Sequence, residues 1–476
     1  MFSPHAYLPI ESIIPSVEDA KTRATKLPLN KISDIIKTRV KFLISSIFIT
    51  NEFYNESIGG TIRERERRAA GLFDFQNLYK AYLDCRRHKR KTYHAAKFEV
   101  SFESELLCLE EELQNHTYQP GRSICFVVTE PTLREVFAAT FRDRVVHHLL
   151  YNFLEPYFEP VFIAQSYACR KNKGIHQSLK DLRKYLRKTT QNNRLKAYYL
   201  HLDIRGFFMS LKKDILYRLI AKRVKNPELL WLARLIIYNN PLENFTSKGD
   251  QSLFAKLPPH KSLFHIPENQ GLPIGNLTSQ FFANVYLNEL DQFAKHGLKA
   301  KCYLRYVDDF LLLSRDRLKL LKWRDEIDKF LKERLGLELN RKKQIFLTVD
   351  RGVDWLGYFI KPDCILIRRR TVRNFKQKLY SFNLLLKKYP TCAVEAPSQL
   401  LLPFPEYHPP LELLQKILAT VNSYFGHFSH ADTYNLRKHL WENHFLKLKN
   451  YLEPKDERFT VLRIKPVYKK AWESRS

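Results

Sequence analysis

The chain has 476 residues, 80 of them Lys or Arg against 50 Asp or Glu, for a formal net charge of +30. Hydrophobic residues make up 44% and aromatics 13%, which excludes a disordered chain and allows two or three packed subdomains. The charge favours a polyanionic partner, because each phosphate neutralised releases condensed counterions. No polybasic stretch borders a membrane anchor, so nucleic acid is favoured over a membrane surface.

The seven cysteines form no CxxC pair, so neither a zinc site nor a disulfide framework is expected, as suits a reducing cytoplasm. Phe42 to Ile49 is apolar but too short to span a bilayer and reads as a buried helix or strand. Arg63 to Arg68 reads as a solvated helix face. Helical spacing of apolar residues predicts helices over Phe73–His88 and Phe98–Leu113. Residues 124–130 read as a buried strand, and Arg134 to Phe158 as helix-like. The basic run Arg183–Arg194 ends a helix, and Ala197–Ile204 is a short strand. Residues 240–270, rich in Pro, Asn and His, are expected as loop or a small insertion. Thr278–His296 is a predicted helix, Cys302–Leu313 an apolar hairpin, and Leu318–Leu335 a charged amphipathic helix. Val353–Ile360 and Cys364–Arg368 are strand candidates. The remainder reads as helical, over Val372–Lys388, Leu411–Phe425 and Ala431–Leu446, with a Pro-punctuated stretch from Pro390 to Pro410.

Within the hairpin, residues 303–312 read YLRYVDDFLL. Two carboxylates in an apolar hairpin are costly unless paired or bound to a cation, and they repel each other. A divalent metal resolves both costs. Residues 199–204 read YLHLDI, so Asp203 ends a strand. If these strands are neighbours, Asp203 and Asp308 can share a pair of magnesium ions. Two such ions roughly 4 Å apart activate a 3′-hydroxyl and stabilise the leaving pyrophosphate. The bland alternative, aspartates that merely cap turns, fits a lone DD pair better than it fits this combination with strong positive charge.

With these motifs in view, the sequence resembles bacterial reverse transcriptases over roughly residues 70 to 450. YVDD at 306–309 looks like the family's catalytic box, and LDIRGFF at 202–208 like the box that holds the first metal aspartate. The resemblance implies Asp203, Asp308 and Asp309 as catalytic metal ligands, with the Ile204 backbone among the ligands, for two Mg²⁺ ions, Mn²⁺ being an alternative. Phe208 falls at the steric-gate position that rejects a 2′-hydroxyl. FRDRVVHHLL at 141–150 and SYACRKNKGIH at 166–176 resemble two fingers motifs, which implies that Arg144 and Arg170 approach the triphosphate or template. In GLPIGNLTSQ, Ile274 and Gln280 stand where many relatives carry glutamine and proline, and they flank Gly275 in the nucleotide pocket. That pattern is similar to the enzymes of diversity-generating retroelements and to the unknown-group reverse transcriptases linked to phage defence. Without the glutamine's hydrogen bond, lower fidelity is expected. ELNRKKQ at 338–344 resembles the motif that follows, which implies that Lys343 stands near the departing pyrophosphate. VDWLGYFI at 353–360 resembles the primer grip, with Trp355, Leu356, Gly357 and Tyr358. NSYFGHFSHADTYNLRK at 422–438 resembles the thumb.

The resemblance implies an α+β right-hand polymerase fold, with fingers, a palm built on an antiparallel sheet, and a helical thumb. The expected divisions are an N-terminal extension over 1–70, fingers over 71–200, palm over 201–363 with an insertion at about 212–270, and thumb with C-terminal segment over 364–476. The implied partners are an RNA template, expected to be a structured noncoding RNA, deoxynucleotides and a DNA product, with self-association left open. The implied setting is cytoplasmic antiphage defence, with mutagenic retrohoming as the rival. A rival of another class is a non-catalytic RNA-binding scaffold. All three carboxylates are present, which argues against it.

Overall fold

The computed structural model describes residues 71–389 and 409–468, apart from 88, 91, 130 and 131. The expectations for 42–49 and 63–68, and for most of the Pro-punctuated stretch, lie outside the described residues. Helix α1 (Phe75–Arg86) starts at Asp74, whose carboxylate accepts from the Asn77 N–H at 2.7 Å. It is followed by α2 (Tyr93–Val100) and α3 (Phe102–Gln114). The single helix expected from Phe98 is broken at Ser101, which leaves the helical region at φ −128. Strands β1 (Ser123–Val128) and β2 (Arg134–Ala138) pair antiparallel. The helix expected from Arg134 therefore begins as a strand, because Val136 and Phe137 bury themselves beside β1. Thr140 then caps α4 (Phe141–Phe158) by accepting from the Asp143 N–H at 3.1 Å.

Helix α5 (Ile175–Thr190) leads to β3 (Tyr198–Leu202), then α6 (Phe207–Ser210), α7 (Lys213–Arg223) and α8 (Pro227–Tyr238). In the irregular stretch after it, β4 (Phe245–Ser247) joins β1 in parallel, and α9 (Ser252–Ala255) is one turn long. This stretch is anchored through buried Glu135 on β2, which accepts from Ser262 Oγ at 2.6 Å and the Leu263 N–H at 2.9 Å. Helix α10 (Leu277–Gln292) is buried on almost every side. Strands β5 (Tyr303–Tyr306) and β6 (Asp309–Ser314) form the expected hairpin, and α11 (Arg317–Phe330) follows. With β7 (Ile345–Thr348) they complete an antiparallel sheet of order β5-β6-β3-β7. Leu202 on β3 lies opposite Phe310 on β6, so the two acidic segments sit on adjacent strands.

The expected strand Val353–Ile360 is two strands, β8 (Val353–Trp355) and β9 (Tyr358–Ile360), turned at Leu356 and Gly357. Strand β10 (Ile365–Ile367) completes that sheet. Helices α12 (Arg369–Leu386), α13 (Leu411–Phe428), α14 (Tyr434–His444) and α15 (Leu448–Tyr451) follow, with a final hairpin of β11 (Leu452–Pro454) and β12 (Leu462–Ile464). One apolar core joins α5, the main sheet, the β8–β9 hairpin and these helices, through Leu182, Tyr199, Leu311, Trp355, Phe375 and Phe425. The architecture is α+β. Among the described residues no helix is long and apolar enough to cross a membrane.

Gly275 shows how tightly the loop before α10 is laid on β2. Its φ is +133, and an added Cβ would lie 2.7 Å from the Phe137 carbonyl oxygen and 2.9 Å from Val136 Cγ1. Gly275→Ala should destabilise the protein by about 2–3 kcal/mol in urea unfolding. A change under about 0.5 kcal/mol would show that the loop can move off the strand.

Candidate active site

Asp203 follows the end of β3, and Asp308 and Asp309 lie where β5 turns into the adjacent strand β6. The turn has two residues, Val307 and Asp308, between paired Tyr306 and Asp309. Val307 has φ +56, a costly conformation for a β-branched residue. Arg305 holds it there. This arginine is fully buried, and its Nη1 donates to the Val307 carbonyl at 3.0 Å and to Asn284 Oδ1 at 3.2 Å. Its Nε and Nη2 grip Asp291 at 2.7 and 2.6 Å, and Nη2 also reaches Ser166 Oγ at 3.0 Å. Tyr303 donates to the same Asp291 carboxylate at 2.8 Å.

Asp203 is buried, and its carboxylate accepts from Asn340 Nδ2 at 2.8 Å and Lys343 Nζ at 3.2 Å. Burial, joined by the negative charges of Asp309 and Asp203, pushes Asp308 up to about 7 against the opposing pull of Lys343. His201 Nε2 lies 3.5 Å from Asp309 Oδ1, too far for a hydrogen bond. Both ring nitrogens of His201 are buried without a hydrogen-bond partner, and the ring meets Trp355 edge-on at 5.2 Å.

Among the described residues no three His, Cys, Asp or Glu side chains converge as a ready-made metal site. The chemistry of the donors nonetheless fits a hard dication. All three are carboxylates, burial and then the charges of its two acidic neighbours raise Asp308, and an ammonium already neutralises Asp203. Ile204 is buried and bridges Leu339, which fixes the backbone beside Asp203.

The other expected residues divide. Phe208 is half-buried on α6, beside buried Phe207. The Ile274 carbonyl accepts from the Phe137 N–H at 2.9 Å, and Gln280 Oε1 lies 3.2 Å from Cys169 Sγ. Arg144 is half-buried on α4. Desolvation lowers its pKa, and it has no carboxylate partner among the described residues. Arg170 does not reach for a ligand in this conformation. Its Nε and Nη2 clamp Glu159 at 2.7–3.1 Å, and Nη1 donates to the carbonyls of Ile163 and Ser166. The guanidinium is spent on folding the loop before α5.

Of the four primer-grip residues, only Leu356 and Gly357 are accessible, at the tip and with φ +50 and +97. Trp355 is a core residue that donates to Ser178 Oγ at 2.7 Å, and Tyr358 is buried with its hydroxyl 3.0 Å from His427 Nδ1. Lys343 sits on Asp203 itself. Arg305, Asp291, Asn340 and His201 are not singled out by the sequence. For Arg305 and Asp291 the only signal is a charge inside an apolar strand and an apolar helix.

Residues 130–360 match the family described as reverse transcriptase (RNA-dependent DNA polymerase). This part of the chain is similar to reverse transcriptase domains. Protein YkfC of Escherichia coli (strain K12) is 23% identical over 301 residues, 56% of this chain and 72% of that protein. The group II intron-encoded protein LtrA of Lactococcus lactis subsp. cremoris is 21% identical over 324 residues, and the match spans 50% of its length and 54% of this chain. Among solved structures, an apo telomerase from Candida tropicalis truncated from its C-terminal domain aligns with 52% of this chain and 55% of its own, at 11% identity and TM-score 0.40.

The raised Asp308 sets the direction of a pH effect. An ordinary aspartate titrates at 3.8, and this one titrates at about 7 in the fold, so the folded state holds the proton more tightly. The contribution of Asp308 to stability is therefore greatest below the lower value, falls as pH rises between the two, and is flat above. Asp308→Asn should be more stable than the parent at pH 8 in chelator, by on the order of a few kcal/mol, with the gap closing towards about pH 4. Equal denaturation midpoints at both pH values would sink this account of the carboxylate cluster.

Proposed function

We propose that this chain is an RNA-directed DNA polymerase that adds deoxynucleotides to a hydroxyl primer on an RNA template. The reading is carried by one observation. Asp203 and the Asp308–Asp309 turn stand on adjacent strands of one antiparallel sheet, inside the part of the chain that is similar to reverse transcriptase domains. In this reading the sheet is the palm, residues 71–200 are fingers, 201–363 palm with its insertion at about 212–270, and 364–476 thumb with the C-terminal segment. Asp203, Asp308, Asp309 and the Ile204 backbone would hold two Mg²⁺, which supply charge neutralisation for the attacking hydroxyl and the leaving pyrophosphate. Lys343, which pairs with Asp203 in this structure, would be free to meet the pyrophosphate with a cation in its place. Phe208 narrows the space beside the nucleotide sugar, and Ile274 packs the pocket without a side-chain hydrogen bond. Arg144, which lacks a carboxylate partner among the described residues, takes a phosphate of the template or nucleotide.

The template is a dedicated structured noncoding RNA, and the biological setting is antiphage defence. The resemblance of IGNLTSQ at 274–280 and the net charge of +30 support this part of the reading.

Primer extension with Mg²⁺ tests the chemistry. Asp203→Ala, Asp308→Ala and Asp309→Ala should each lower activity by about a thousandfold or more, while RNA binding stays. Phe208→Ala should admit ribonucleotides. Activity equal to the parent in all three aspartate variants would overturn the assignment. Sequencing the RNA and cDNA that copurify tests the setting, with one RNA species and its complement expected. A random sample of cellular RNA would count against a dedicated template.

A further inference from the structure

Helix α5 carries a second feature that the polymerase reading does not use. His176, Lys180, Lys184 and Lys188 are all exposed or half-exposed and follow one another at i, i+4 spacing. The opposite face, through Leu179, Leu182 and Leu186, is buried in the core with Tyr199 and Leu311. The three lysines therefore form one row, with a rise of about 6 Å per step, and His176 stands at its head. At the start of the row the His176 ring stacks on that of His430, just beyond α13, with centroids 3.4 Å apart. At its end the helix stops in three consecutive left-handed residues, Gln191, Asn192 and Asn193. There Arg187, Lys188, Gln191, Asn192 and Arg194 line an open depression of about 620 Å³.

The row is poorly neutralised. Asp181 is the one acid on α5, and it already accepts from the Tyr167 hydroxyl at 2.9 Å and Gln177 Nε2 at 3.0 Å, with Lys184 Nζ at 3.4 Å. Among the described residues, Lys180, Arg187, Lys188 and Arg194 have no carboxylate partner. An amphipathic helix that lies on a membrane needs an exposed apolar face, and the apolar face of α5 is consumed by the core. A line of cations at this pitch, closed by amide side chains, suits a sugar–phosphate backbone.

We infer that the outer face of α5 is a backbone track for RNA, running from the His176–His430 stack to the depression at Arg187–Arg194. It binds the part of the template RNA that lies outside the copied duplex. This rests on the proposed reading that the template is a structured RNA longer than that duplex. The track is set apart from the carboxylates, since this row lies on the face of α5 opposite the leucines that pack in the core with the main sheet.

The test compares the parent with K180Q/K184Q/K188Q and with K180R/K184R/K188R, on a long hairpin-containing RNA and on a short primer–template duplex. The glutamine variant should bind the long RNA on the order of tenfold more weakly at ~0.1 M salt. Its slope of log affinity against log salt should shrink by about 2. The arginine variant should bind like the parent, and extension of the short duplex should be unchanged in both. Unchanged affinity and slope in the glutamine variant would overturn the track. So would an equal loss of extension on the short duplex, which would assign the row to the catalytic cleft. A parent protein that makes no cDNA, yet loses long-RNA binding in the glutamine variant, defeats the polymerase reading and leaves the track standing.

Discussion

The ion pair between Arg305 and Asp291 is the constraint on which the site depends. Both side chains are fully excluded from solvent. Burying two such charges costs several kcal/mol each, and attraction offsets this only with close geometry and with the remaining donors satisfied. Here they are satisfied, by Asn284, Ser166 and the Val307 carbonyl. The pair thus ties α10, β5 and the loop before α5 to the turn that presents Asp308. Val307 could not sit at φ +56 on its own account. The strain is local and the restraint is distributed, an arrangement that fixes a carboxylate against its own repulsion from its neighbours.

That repulsion explains the polar groups around Asp203. Asn340 and Lys343 belong to the segment after α11, and both reach back across β3 to the same carboxylate. The backbone follows the same path, with the Asn340 N–H donating to the Asp203 carbonyl at 2.8 Å. One negative charge is thereby balanced by a largely exposed lysine. Among the described residues Asp308 has no such ion pair, and burial with its acidic neighbours raises its pKa against a weaker pull from Lys343. The cluster is asymmetric, with one carboxylate prepaired and one waiting for charge.

Much of this is legible in the sequence. YVDD within an apolar run identifies the hairpin, and YLHLDI identifies the adjacent strand, because β-prone residues on both sides leave the aspartates at strand ends. The α+β class and most helices follow from apolar spacing in the same way. The start of α4 does not, since Arg134–Ala138 carries apolar residues that suit strand or helix equally, and only pairing with β1 decides between them. The break at Leu356–Gly357 is hidden for a related reason, as a two-residue turn interrupts an apolar run without a proline. Asp291 is illegible as a partner of Arg305. They are 14 residues apart, on a helix and a strand, and nothing in local pattern links them.

The motif residues also separate by what they touch. A family motif gathers residues that meet substrate and residues that hold those in place, and sequence does not tell the two apart. Trp355 and Tyr358 spend their polar atoms on Ser178 and His427, and Arg170 spends all of its guanidinium on Glu159 and two carbonyls. Truncating Trp355 or Arg170 would cost stability, since each leaves a polar group of a buried residue, Ser178 or Ser166, without that partner. Among the described residues, the motif groups not engaged in this way are fewer: Phe208, Arg144 and the Leu356–Gly357 tip. These motif side chains hold the loop before α5 and the β8–β9 hairpin in place, and that framework leaves few motif side chains unengaged.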